Sequence, residues 1–187
     1  MGKQYKELTP ENIEFIKEQK LFYLASCSGT EVNLSPKGFE CIEVLNAHSL
    51  LYLDYPGSGN RTARDIKNDG EITLVFNAFS GAAQIVRLFC KGKLIEKHHD
   101  NFELLFQRFY NRDNTIDVNH IRQIIQFNIY AVESSCGMSV PKMQYQKERT
   151  GLKKWISNQH DEGILTDYIN AHDEPVNLNT FRNSELS

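Results

Sequence analysis

Between Leu21 and Glu96 the chain runs through short strand-like segments, most of them joined by turns too short to hold a helix. Leu21 to Ser28 reads as a strand, and Gly29-Thr30 turns it into Glu31 to Ser35, where apolar and polar residues alternate, so the pair forms a hairpin. Pro36-Lys37-Gly38 should break the second strand. Cys41 to Leu45 and Leu50 to Tyr55 follow, linked by a polar turn at Asn46. Glu71 to Phe79 places Ile72, Leu74 and Phe76 on one face, and Gln84 to Glu96 is the longest candidate, with Gly92 as a bulge or bend. The alternating run Ile124 to Val132 adds a final strand within Ile121 to Ser134. About seven strands in this order cannot be laid out as repeated strand–helix units, which argues against a Rossmann sheet. The pattern predicts an α+β fold: a closed or partly open barrel of antiparallel strands with helices inserted or appended.

The helices have their own signals. Thr9 is placed to cap a helix with Pro10 in its first turn, ending near Lys20. Thr62 to Asp69 is a short helix, with Gly70 where a left-handed cap is wanted. Asn101 to Tyr110 carries Phe102, Leu105, Phe106 and Phe109 at helical spacing, a stripe that reads as core. From Gln144 to Asn158 the composition turns helical again, and past Asp173 the tail looks loose. The 187 residues are read as one domain with a helical C-terminal extension from about residue 144.

Composition narrows the partners. A formal net charge of -3, with both signs mixed along the chain, supplies no basic field for nucleic acid. No apolar stretch is long enough to span a bilayer, and the start lacks the apolar core of a signal peptide. Cys27, Cys41, Cys90 and Cys136 are too scattered for a zinc knuckle or a redox pair, so they read as buried thiols in a reducing, cytoplasmic compartment. No metal site is expected. His98-His99-Asp100 has suitable residue types, but adjacent histidines in a strand point to opposite faces.

Three features carry ligand chemistry. Gly57-Ser58-Gly59-Asn60-Arg61-Thr62 lies between a strand and a helix start, where unpaired N–H groups, a guanidinium fork and a hydroxyl suit an anion. It is neither a P-loop nor a GxGxxG fingerprint, and an ordinary capped surface turn is the competing reading. Ser35-Pro36-Lys37-Gly38 offers a hydroxyl, a fixed bend and a cation, either as a second contact to an anionic ligand or as a hairpin corner. Arg87, inside the apolar run Ile85 to Cys90, calls for an anionic partner: a ligand, or an internal carboxylate such as Asp54 or Asp65.

Taken in order, Val32 to Gly38, Leu51-Tyr52-Leu53-Asp54, Gly57 to Thr62, Ile72 to Phe76, Phe79-Ser80-Gly81 and Ile85 to Phe89 resemble the pyridoxamine-5'-phosphate-oxidase-related, FMN-binding split-barrel proteins. Ser135 to Pro141 looks like the later signature of one uncharacterised branch. The resemblance implies a six-stranded split barrel working as a homodimer, with FMN bound across the subunit interface. Carried onto this chain, it implies that Arg61 and Thr62 grip the FMN phosphate while Asn60 shapes the loop. Arg87 would help hold the phosphate or ribityl chain, and Ser35, Pro36 and Lys37 would lie near the flavin ring or the phosphate. Trp155 is a further candidate, covering the flavin from the partner subunit. The basic C-terminal substrate motif of the true pyridoxamine phosphate oxidases is missing, the end reading Pro175 to Arg182. The function this implies is an FMN-dependent oxidoreductase acting on a small molecule, with NADH or NADPH as a possible electron donor. The alternative is a non-catalytic carrier of flavin or haem.

Overall fold

The computed structural model describes residues 2–178 together with Phe181. Within them the strands are β1 (Lys3–Tyr5), β2 (Phe22–Cys27), β3 (Asn33–Lys37), β4 (Ile42–Asn46), β5 (Ser49–Asp54), β6 (Glu71–Asn77), β7 (Gln84–Ile95) and β8 (Gln123–Cys136). The helices are α1 (Pro10–Glu18), α2 (Arg61–Lys67), α3 (Phe102–Tyr110), α4 (Gly151–Asp161) and α5 (Leu165–Ala171), with a single 3₁₀ turn at Val118–His120 before β8. Thr9 caps α1 as its sequence predicts, in a reciprocal box with Asn12.

All strand pairs are antiparallel and join one sheet in the order β3-β2-β6-β7-β8-β5-β4. β1 pairs with the far half of β8, opposite Val132 to Ser134. The sheet curls on itself. Phe22 of β2 and Tyr52 of β5 stand on strands that do not pair, yet their rings meet edge to face at 6.0 Å. Phe76 stacks on Phe22 and Phe127 on Tyr52, so one aromatic row crosses the interior. Leu24, Ile72, Leu74, Val86, Leu88 and Leu50 are fully buried around it. The two end strands, β3 and β4, do not pair with each other, so the barrel is split.

Several local expectations are corrected. Pro36 and Lys37 do not break β3 but lie inside it; β3 is an edge strand, where a residue without an N–H is tolerated. The left-handed residue after α2 is Asp69, with φ 54°, not Gly70. Gly70 is required for a different reason: a Cβ there would lie 2.7 Å from both the Asp65 and the Cys27 carbonyl oxygens. Gly92 makes no bulge. It lets α2 approach β7, with Ile66 Cδ1 only 2.5 Å from where a Cβ would sit, and the ladder irregularity falls between Phe89 and Cys90. The C-terminal helix begins at Gly151, and residues 141–150 have no regular structure. β1, three residues long, was too short to show any alternation.

Gly70→Ala is expected to destabilise the fold by about 2 kcal/mol, since neither carbonyl is a flexible end that can step aside. Gly29→Ala, where nothing lies within 4 Å, serves as the near-neutral control in urea unfolding.

Candidate functional site

The ends of a curled sheet that fails to close leave a gap, and the gap is a cleft of about 560 Å³. One wall is β3, through Asn33, Ser35, Pro36 and Lys37. The other is the end of β5, through Tyr52 and Asp54, continued by Tyr55 and the loop from Gly57 to Thr62. Phe39 and Cys41 close the floor, and Leu152 of α4 reaches in from the C-terminal extension. Six of the predicted residues, Ser35, Pro36, Lys37, Asn60, Arg61 and Thr62, thus face one space although they come from separate segments.

The wall is held by buried polar groups. Asp65, fully buried on α2, accepts hydrogen bonds from Ser26 Oγ at 2.6 Å, Ser28 Oγ at 2.8 Å and the Arg64 guanidinium at 2.8 Å. This ties α2 to β2 and fixes where Arg61 and Thr62 start. Arg122, its side chain 6% exposed, donates to the carbonyls of Gly57 at 2.9 Å and Gly59 at 3.0 Å. Gln123 donates to Asp54 at 3.0 Å and approaches Asn60 Oδ1 at 3.5 Å. Thr62 Oγ1 accepts from Asn33 Nδ2 at 3.2 Å, which joins the two walls of the cleft.

Arg61 is not free. Its Nη1 donates to Glu31 at 2.7 Å, and Arg64 donates to the same carboxylate oxygen at 2.6 Å. The hydrogen bond from Arg64 is the main reason the Glu31 carboxyl is held below its usual range. The second Arg61 terminal nitrogen donates to the Val176 carbonyl at 3.2 Å, so two of its five N–H donors have protein partners here. Asn60 donates to Asp173 at 2.9 Å, Lys67 pairs with the same carboxylate, and the Leu178 amide donates to Glu31. The tail expected to be loose therefore lies over the start of α2, at least from Asp173 to Leu178. Lys37 stands over the Tyr52 ring at 5.6 Å.

Arg87 does not line the cleft. It donates across the β7–β8 ladder to Glu133 at 3.1 Å and Ser135 at 2.9 Å, so its internal partner is neither Asp54 nor Asp65. Trp155 packs edge to face on Tyr168 at 4.7 Å, joining α4 to α5, and is not among the cleft residues. Sequence reasoning missed Glu31, Asn33, Arg122 and Gln123. The Arg122-Gln123 pair at the mouth of a strand was the one available signal.

Burial pushes the thiols of Cys41 and Cys90 up to about 12, so neither is a nucleophile near neutral pH. Cys41 instead donates to the Gly38 carbonyl at the cleft floor. The expectation of four buried thiols holds for Cys41 and Cys90 only: Cys27 is half-buried, and Cys136, at the end of β8, is exposed. Ellman's reagent at pH 8 should label Cys136 rapidly and leave Cys41 and Cys90 untouched until the chain is unfolded. Arg122→Ala strands the carbonyls of Gly57 and Gly59 and removes the cation beside Asp54, and is expected to cost about 3 kcal/mol in urea unfolding.

Residues 8–136 match the family of pyridoxamine 5'-phosphate oxidase. Over 178 residues the chain is 30% identical to the pyridoxamine 5'-phosphate oxidase family protein ustO of Aspergillus flavus, covering 91% of this chain and 70% of that one. In fold it is similar to a protein of Lactobacillus delbrueckii named for pyridoxamine 5'-phosphate oxidase, with TM-score 0.54 and 22% identity over 68% of this chain and 94% of that one. It is similar also to the haem storage protein HutZ of Vibrio cholerae, with TM-score 0.52 and 14% identity over 70% and 97%. The curled, split sheet and the match in sequence agree: the chain belongs to the pyridoxamine 5'-phosphate oxidase family.

Proposed function

We propose that the cleft binds FMN and that the protein is an FMN-dependent oxidoreductase of a small molecule. The observation that carries this reading is the convergence of Ser35, Lys37, Asn60, Arg61 and Thr62 on one cleft of about 560 Å³. That volume falls in the roughly 300–1,000 Å³ range of small-molecule sites. Family membership adds to it, since flavin is the cofactor the resemblance implies.

The residues fit the two ends of such a ligand. Arg61 and Thr62 supply a guanidinium and a hydroxyl for a phosphate, and Asn60 and Arg122 hold the loop that presents them. Phe39, Tyr52 and Tyr55 give flat apolar surface for a ring, with Lys37 close enough to favour negative charge on it. Bound flavin supplies the electron-transfer chemistry, while the chain supplies binding, orientation and electrostatics, so no catalytic dyad is required. Tyr52, whose hydroxyl burial holds well above its ordinary pKa, stays protonated at neutral pH and remains a hydrogen-bond donor. Haem fits the cleft less well. Among the described residues lining it there is no histidine, and burial keeps the Cys41 thiol and the Tyr52 and Tyr55 hydroxyls protonated.

The same reading takes a homodimer in the cytoplasm as the working form. Among the described residues no helix is long and apolar enough to cross a membrane, and the four cysteines are free thiols. Arg61→Ala is expected to weaken FMN binding at least about tenfold in a flavin-fluorescence titration, the worth of one charged hydrogen bond. Unchanged affinity would remove Arg61 from the site. Oxidation of NADH or NADPH by the FMN-loaded protein supports the oxidoreductase, and an FMN complex that no reductant turns over points to a carrier.

A further inference from the structure

Away from the cleft, three metal-ligating side chains meet where the C-terminal extension touches the barrel. Asp117 precedes the 3₁₀ turn, His120 ends it, and His160 lies in the last turn of α4. Their candidate ligand atoms all lie within 4.8 Å of one another. Asp117 uses one carboxylate oxygen to accept from the Asn119 amide at 2.8 Å, which fixes the carboxylate in place. Its other oxygen stands 3.7 Å from His120 Nε2. The two imidazoles meet edge to face with ring centroids 5.2 Å apart.

We propose that Asp117, His120 and His160 form a binding site for a divalent transition metal ion of the zinc class. Two imidazoles and one carboxylate are a common ligand set for such ions and a poor one for Mg²⁺ or Ca²⁺, which prefer oxygen alone. A tetrahedral zinc with bonds of about 2.1 Å needs its ligand atoms about 3.4 Å apart. From separations of up to 4.8 Å this takes a closing movement of up to about 1.4 Å, within reach of a side-chain rotation at His160, which is exposed at a helix end. Water would complete the fourth position.

The site would clip α4 to the turn that leads into β8. Two residues after His120 stands Arg122, whose guanidinium holds the carbonyls of Gly57 and Gly59, and α4 itself sends Leu152 into the cleft. A metal ion here would therefore tie the extension to the turn whose Arg122 holds one wall of the cleft. The chemistry comes from residues far apart in sequence, which is why neighbouring His98 and His99 were the more visible pair.

The test uses full-length protein without a histidine tag, treated with EDTA, exchanged into chelator-free buffer and titrated with ZnCl₂ in a calorimeter. The proposal expects one equivalent bound by the wild type, affinity weakened at least about tenfold in His160→Ala, and wild-type binding in His98→Ala. His160 is exposed, so its replacement leaves the core intact, and circular dichroism checks that the variant is folded. Adding Zn²⁺ should raise the wild-type melting temperature and leave that of His160→Ala unmoved. A wild type that takes up no zinc, or a folded His160→Ala that binds it as tightly as the wild type, overturns the proposal.

Discussion

The carboxylate of Asp65 is the interaction on which the candidate site depends. It is fully buried and takes hydrogen bonds from two serines of the β2 region and from Arg64. A buried charge is tolerable only when paired and fully hydrogen-bonded, and breaking such a pair costs several kcal/mol. That cost makes the seat of α2 exacting. Asp65 orients Arg64, Arg64 shares Glu31 with Arg61, and Arg61 faces the cleft. The same seat explains both nearby glycines: Gly70 lies against the Asp65 carbonyl, and Gly92 admits Ile66.

The cleft exists because the barrel does not close. Pairing β3 with β4 would have satisfied their outer edges and filled the gap. Instead Pro36 removes one donor from β3, and the aromatic groups of Phe39, Tyr52 and Tyr55 line the space between. Of the charged residues lining it, Lys37 and Arg61 are set against Asp54, with Glu31 pairing Arg61 from outside the lining. An anion entering here competes with Glu31 for Arg61, and near Asn60 it meets the carboxylate of Asp173. The tail is thus part of the site's electrostatics, though its sequence carries no ligand signal.

Much of the fold was legible. Six of the seven proposed strands and the helices α1, α2 and α3 follow from alternation, helical spacing and turn residues near where the structure has them. The seventh, Glu31 to Ser35, is shifted onward by two residues, because an edge strand accepts Pro36. The cleft residues were legible because loop chemistry is local: a glycine-rich loop ending in Asn60-Arg61-Thr62 advertises itself. What could not be read were partners brought together by the curl. Glu31 beside Arg61, Glu133 beside Arg87, and His120 beside His160 are pairings made by topology, and no spacing along the chain encodes them. Gly70 and Gly92 were likewise flagged as special by composition, but their reason is tertiary contact and not turn geometry.

The proposed flavin site turns on whether Arg61 and Thr62 at the start of α2 hold a phosphate. A crystal structure of the protein grown with FMN tests it most directly. The phosphate is expected within hydrogen-bonding distance of the Arg61 guanidinium and the Thr62 hydroxyl, with the ring against Tyr52 or Phe39. A flavin bound elsewhere, with Arg61 still engaged only by Glu31 and Val176, would contradict it.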